Sequence, residues 1–182
     1  MTGARRRWAA AVVAAGVLAA AGLYWFQPWK LWQDTKVYES LPAASSPGSG
    51  EATEPGRPAP EGGDRPVTVA SGELISHEHA TTGTARLVRL ADGSHIVRLE
   101  GLDTSNGPDL KVLLTDAPVT KGRAGWHVFD QGEHVSLGKL KGNRGSQNYP
   151  LPAGVDPAAY SSVSIWCDRF DVSFGAAELI GS

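Results

Sequence analysis

The chain holds one sulfur able to do redox or ligand chemistry. Cys167 is the sole cysteine among 182 residues, and the sole methionine is Met1. An intrachain disulfide is therefore excluded, as is thioether ligation of a metal or haem inside the folded part. A single thiol can form a mixed disulfide with another molecule, ligate a metal or haem, or cycle through sulfenic acid. It cannot work alone as a dithiol oxidoreductase, because no second cysteine is present to resolve the first. Trp166, Asp168 and Arg169 give Cys167 a polar and aromatic setting. A guanidinium folded toward the sulfur would favour the thiolate. The plainer alternative is an inert core cysteine, the usual state of a lone thiol in a strand.

The histidines offer less. His77 and His79 would share a face if their segment were extended, the minimal geometry for two metal ligands. His95, His127 and His134 and the nearby carboxylates do not complete a site at metal-ligand spacing. Surface histidines are the simpler reading. Ligand spacing indicates neither haem nor metal, so the cofactor stays unassigned. The turn Thr104-Ser105-Asn106-Gly107-Pro108-Asp109-Leu110 carries polar side chains, with Asn106 and Asp109 placed to line a site or to cap backbone before a strand. A Ser-His-Asp pattern, a Gly-x-Ser-x-Gly elbow and a phosphate loop are all missing, which disfavours hydrolase and nucleotide chemistry.

Short β-rich runs separated by turns must position these residues. Residues 67–182 lack sustained helical periodicity and read as an all-β, antiparallel sandwich or barrel of about eight or nine strands. Thr84 to Leu90 and His95 to Glu100 flank the turn Ala91 to Ser94, a hairpin signal. Asp109 to Thr115 alternates as a half-buried strand, with Leu110, Val112 and Leu114 on one face. Further strands are expected at Trp126 to Asp130, Val135 to Leu140, Gln147 to Leu151, Val163 to Cys167 and Asp171 to Phe174. Asp156 to Tyr160 has the spacing of a tyrosine corner, with a buried Tyr160 hydroxyl capping backbone. Along Ser161 to Cys167, Val163, Ile165 and Cys167 share one face while Ser162, Ser164 and Trp166 share the other. Cys167 should thus point into the core or a pocket opening from it.

The N-terminal part has a different character. Residues 1–7 form a short tail with Arg5, Arg6 and Arg7, followed by an uncharged apolar run from Trp8 to Phe26. At helical rise the run spans about 28 Å, enough to cross a bilayer once. The arginines place the N-terminus in the cytoplasm and the domain outside a cell membrane, with Trp8 to Phe26 partnered by lipid. A cleaved secretory signal ending near Ala19 to Ala21 would export the domain as well. Tyr24, Trp25, Phe26, Trp29, Lys30 and Trp32 resemble an interfacial belt and favour the retained single-pass anchor. Residues 27–66 read as a juxtamembrane segment and a Pro/Gly-rich linker. Leu41 to Pro66 in particular has almost nothing large enough to bury, so the composition predicts a mobile leash reaching about 80 Å at full extension.

Net charge is only -2. From Val67 onward ten Lys and Arg face thirteen Asp and Glu, a mildly acidic balance that does not suit nucleic acid.

Three stretches in one order, TSNGPDLKVLL, LGKLKGNRGSQNYPLP and YSSVSIWCDRFDVSFGAAEL, resemble the DM-thirteen (DM13) domain family in its membrane-anchored bacterial form. The resemblance runs from Ser71 to Leu179. It implies an extracytoplasmic β-rich module acting in electron transfer, with the cysteine matched by Cys167 in IWCDRF as its redox-active group. In animals the domain accompanies DOMON and cytochrome b-type domains. The single crossing here lacks the histidine pairs that hold haem in a membrane bundle. The resemblance therefore implies a separate redox partner protein or a bound cofactor.

Overall fold

A computed structural model describes residues 2–27, 33–42 and 65–182. The leash expected over Leu41 to Pro66 lies almost wholly outside the described residues, as does the part of the aromatic belt beyond Gln27. Helix α1 (Thr2–Phe26) contains the window Arg7–Phe26, long and apolar enough to cross a membrane, and none of that window is buried.

Eleven strands follow: β1 (Lys36–Tyr38), β2 (Val67–Glu73), β3 (Ile75–Ser76), β4 (Thr82–Arg89), β5 (His95–Asp103), β6 (Leu110–Thr115), β7 (His134–Lys139), β8 (Arg144–Pro150), β9 (Ser162–Cys167), β10 (Val172–Glu178) and β11 (Ile180–Gly181). They form two open sheets, β1-β8-β5-β4-β2-β11 and β3-β10-β9-β6-β7. The fold is therefore a sandwich, and neither sheet closes into a barrel. The count exceeds eight or nine because of the two- and three-residue strands β1, β3 and β11, too short to carry an alternation signal.

Side chains alternate along each strand, so the inward set of both sheets meets in one apolar core. Leu87, Val97, Leu99 and Leu102 from the six-stranded sheet face Val112, Leu114, Val163 and Ile165 from the other. The expected hairpin is present: Arg89 pairs with His95, and the Asp92 carboxylate accepts from the Ser94 amide and hydroxyl.

Several local expectations are corrected. Trp126 to Asp130 is turn, entered from a short 3-10 segment (Arg123–Gly125), and belongs to a long loop over 116–133. That loop covers the outer face of the five-stranded sheet, so β6 is not half-buried: Leu113 and Thr115 are buried as well as Leu110, Val112 and Leu114. Tyr160 is only half-buried. The buried tyrosine with backbone partners is Tyr149, whose hydroxyl accepts from the Lys141 amide and donates to Gln147 Oε1. Burial pushes its pKa up to about 12.

The seven-residue β2 lies outside the expected strands, and so does β1. Strand β1 pairs in parallel with β8 in an otherwise antiparallel sheet, Val37 opposite Gly145. Gly145 has a φ of 102° and a Cβ there would lie 2.0 Å from the Val37 carbonyl oxygen, so only glycine admits this approach. Side chains lock the strand at both ends. Asn143 Oδ1 accepts from the Thr35 amide at 2.7 Å and its Nδ2 donates to Asp34 at 2.9 Å. The Glu39 carboxylate accepts from Lys141 Nζ at 2.7 and 2.9 Å and from the Asn148 amide at 2.7 Å. Nearly buried Arg98 donates to the Glu39 carbonyl at 2.9 Å.

Candidate functional site

Cys167 is the last residue of β9, paired with Leu110 across one ladder and Val172 across the other. It points between the sheets and is fully buried in the main core. The turn Asp168–Asp171 closes over it, folded back by the Phe170 amide donating to the Cys167 carbonyl and by Asp171 at a φ of 50°. Burial pushes the thiol pKa up. The backbone amides of Arg169, Phe170 and Asp109 pull the other way, favouring a thiolate, and the Glu78 charge adds to the rise. The resting group is a shielded thiol beneath a short turn.

The other sequence candidates separate. Trp166 is buried on the opposite face of β9, against Leu113, Phe129 and Ala176, and does not touch the same space as the sulfur. Asp168 is exposed and pairs with Lys111 at 2.6 Å. Arg169 turns away from Cys167: its guanidinium lies 5.1 Å from the Trp25 ring centre and donates to the Trp25 carbonyl. Asn106 donates to the Gln33 carbonyl and accepts from the Gly107 amide, tying the polar turn to the segment before β1. Asp109 stays near the sulfur through its amide, and its carboxylate lies 3.5 Å from Lys139 Nζ. Only Cys167, the Asp109 amide and the Asp168–Asp171 turn form one locus.

His77 and His79 do not act as a ligand pair. β3 ends at Ser76. The His79 ring packs 4.0 Å from that of Phe174, while His77 is buried on the outer face of the sheet. There His77 Nε2 is 3.1 Å from the Thr120 carbonyl and Nδ1 is 2.8 Å from Ser173 Oγ. A carbonyl only accepts, so Nε2 carries the proton and Nδ1 accepts from Ser173. Ser164 donates to Ser173 in turn, at 3.0 Å. Sequence reasoning missed this chain because its members come from four separate segments. Among the described residues no three His, Cys, Asp or Glu side chains gather as a metal site. Haem ligated through Cys167 does not fit either: the sulfur is enclosed between Leu110 and Val172, with no face open to a planar group.

These features define a β-sandwich module, preceded by a helix of membrane-crossing length, with one thiol sealed at an end of its core. The DM13 family, described as electron transfer DM13, matches residues 73–179, more than half of the chain, and the chain belongs to that family. No curated protein and no solved structure gave a match.

Proposed function

We propose that the chain is a single-pass, membrane-tethered extracytoplasmic redox module, with Cys167 Sγ as the group that exchanges electrons with a partner protein. Family membership supports the electron-transfer role. The observation that carries the assignment to Cys167 is its position: the one thiol of the chain ends β9 beneath the short Asp168–Asp171 turn, whose opening would expose it. Opening the turn hydrates the sulfur and removes the burial that keeps it protonated. The thiolate attacks a partner disulfide: a new sulfur–sulfur bond forms, the partner's bond breaks, and the released partner sulfur takes up the proton that Cys167 lost. Cys167 is oxidised and the partner sulfur reduced. Arg5 to Arg7 ahead of the apolar helix support the cytoplasmic N-terminus.

The complete burial of Cys167 favours a second reading, a non-catalytic cell-surface module whose sulfur is a packing residue. The rate at which an aromatic disulfide reagent labels Cys167 in the detergent-solubilised full chain, measured across low denaturant, separates the two. Local opening of the turn gives labelling faster than global unfolding and nearly flat in denaturant. Labelling that tracks global unfolding overturns the redox reading and leaves the packing one.

A further inference from the structure

We infer that the sandwich sits on the membrane by its Cys167 end, with the Asp168–Asp171 turn in the lipid headgroup layer, and that residues 33–42, rather than the longer segment after them, set its height. This rests on α1 spanning the bilayer. It is independent of any redox role for the sulfur.

Chain length limits how far the sandwich can stand from the end of α1. β1 is hydrogen-bonded into the six-stranded sheet, and Asn106 and Asn143 reach back to Gln33, Asp34 and Thr35. Only residues 28–32 separate that docked segment from Gln27 at the end of α1. Six links fully extended span about 20 Å. Residues 43–64 join two described points of the chain, Pro42 after β1 and Arg65 before β2. Their length therefore adds nothing to the reach of the domain, however extended they become.

Topology settles which end faces the lipid. β1 begins opposite Arg144, which also pairs with Asp103 at the end of β5, and β5 leads directly into Leu110, the ladder partner of Cys167. The entry of the docked strand and the turn over the sulfur therefore share one end of the sandwich. Contacts with α1 agree. The Phe170 ring stacks on Phe26 with centroids 5.8 Å apart and an interplanar angle of 14°. Arg169 caps the Trp25 carbonyl, one of the last carbonyls of the helix, where a cation is favoured by the helix dipole. Phe170 remains 40% exposed beside that arginine. A partly bare ring next to a guanidinium suits the boundary between acyl chains and headgroup phosphates.

The test uses the full chain with a site-specific protease sequence inserted after Pro60, reconstituted into vesicles of phosphatidylcholine and phosphatidylglycerol at about 3:1. If an alkaline wash strips the uncut chain from vesicles, α1 does not span, and the inference fails through that premise alone. With the chain retained, cutting should leave the fragment containing residues 65–182 on the vesicles, held by β1. Val37→Pro, which removes a ladder donor from the docked strand only, should release it after cutting. Release of the wild-type fragment overturns the inference. A fluorophore attached by brief labelling at Phe170→Cys should be quenched several-fold more by headgroup-nitroxide lipid than one at Asp92→Cys, in the hairpin at the opposite end. Equal quenching overturns the inference as well.

Discussion

On the side of β9 that looks between the sheets, Val163, Ile165 and Cys167 meet an apolar core. On the other side Ser162, Ser164 and Trp166 lie under the 116–133 loop. Both faces exclude water, but by different chemistry. The inner face needs only shape and apolar area. The outer face buries hydroxyls and an imidazole, and these find partners: Ser162 on the Ala117 carbonyl, Ser164 on Ser173, Ser173 on His77, and His77 on the Thr120 carbonyl. A loop without regular structure can cover a sheet when its backbone carbonyls serve as those partners.

Single substitutions sharpen that contrast or break it. Trp166→Ala should have the largest effect, about 3–5 kcal/mol in chemical denaturation, because it empties the site under the loop. A loss within about 0.5 kcal/mol, the range of an exposed site, would mean that the loop does not seal the outer face. Ser173→Ala takes the donor from His77 Nδ1 and the acceptor from Ser164, and should cost about 1–3 kcal/mol. Cys167→Ala, on the inner face, should cost about 1 kcal/mol, since it removes one apolar atom and breaks no polar chain. Should it exceed Ser173→Ala, the assignment of polar dependence to the outer face is wrong.

The smallest expected effect is on pH dependence. Burial holds the His77 imidazole below its ordinary value of 6.5. As pH falls through that value the unfolded chain takes up a proton that the folded chain refuses, so stability is full above it and declines on acidification until the folded pKa is reached. His77→Gln should flatten this part of a melting-temperature profile. An unchanged profile would place the imidazole in water rather than under the loop.

The regular strands were legible because alternation and turn residues agree: the hairpin around Asp92, the inward run ending at Cys167, and β6 are found where the pattern puts them. What was not legible depends on partners distant in sequence. Alternation places Ser162 and Ser164 on the face opposite Cys167 and says no more, since nothing in β9 announces the loop that covers them. Trp166 adjoins Cys167 in sequence, but neighbours along a strand point to opposite faces and the two pack in different clusters. Sequence adjacency leaves the direction of the Arg169 side chain open, and it meets Trp25, more than a hundred residues earlier. β1 is three residues long, and its stability comes from Asn143, Gly145 and Glu39 rather than from its own composition.

The parallel pairing of β1 has a practical consequence. A soluble fragment starting at Val67, the point at which composition suggests that the domain begins, would strip the cover from β8 and leave a row of unpaired amides and carbonyls along an open sheet margin. Such a fragment should self-associate in a concentration-dependent way, and one starting at Gln33 should stay monomeric in analytical ultracentrifugation. The short segment after α1 thus shields a sheet edge that would otherwise lie open.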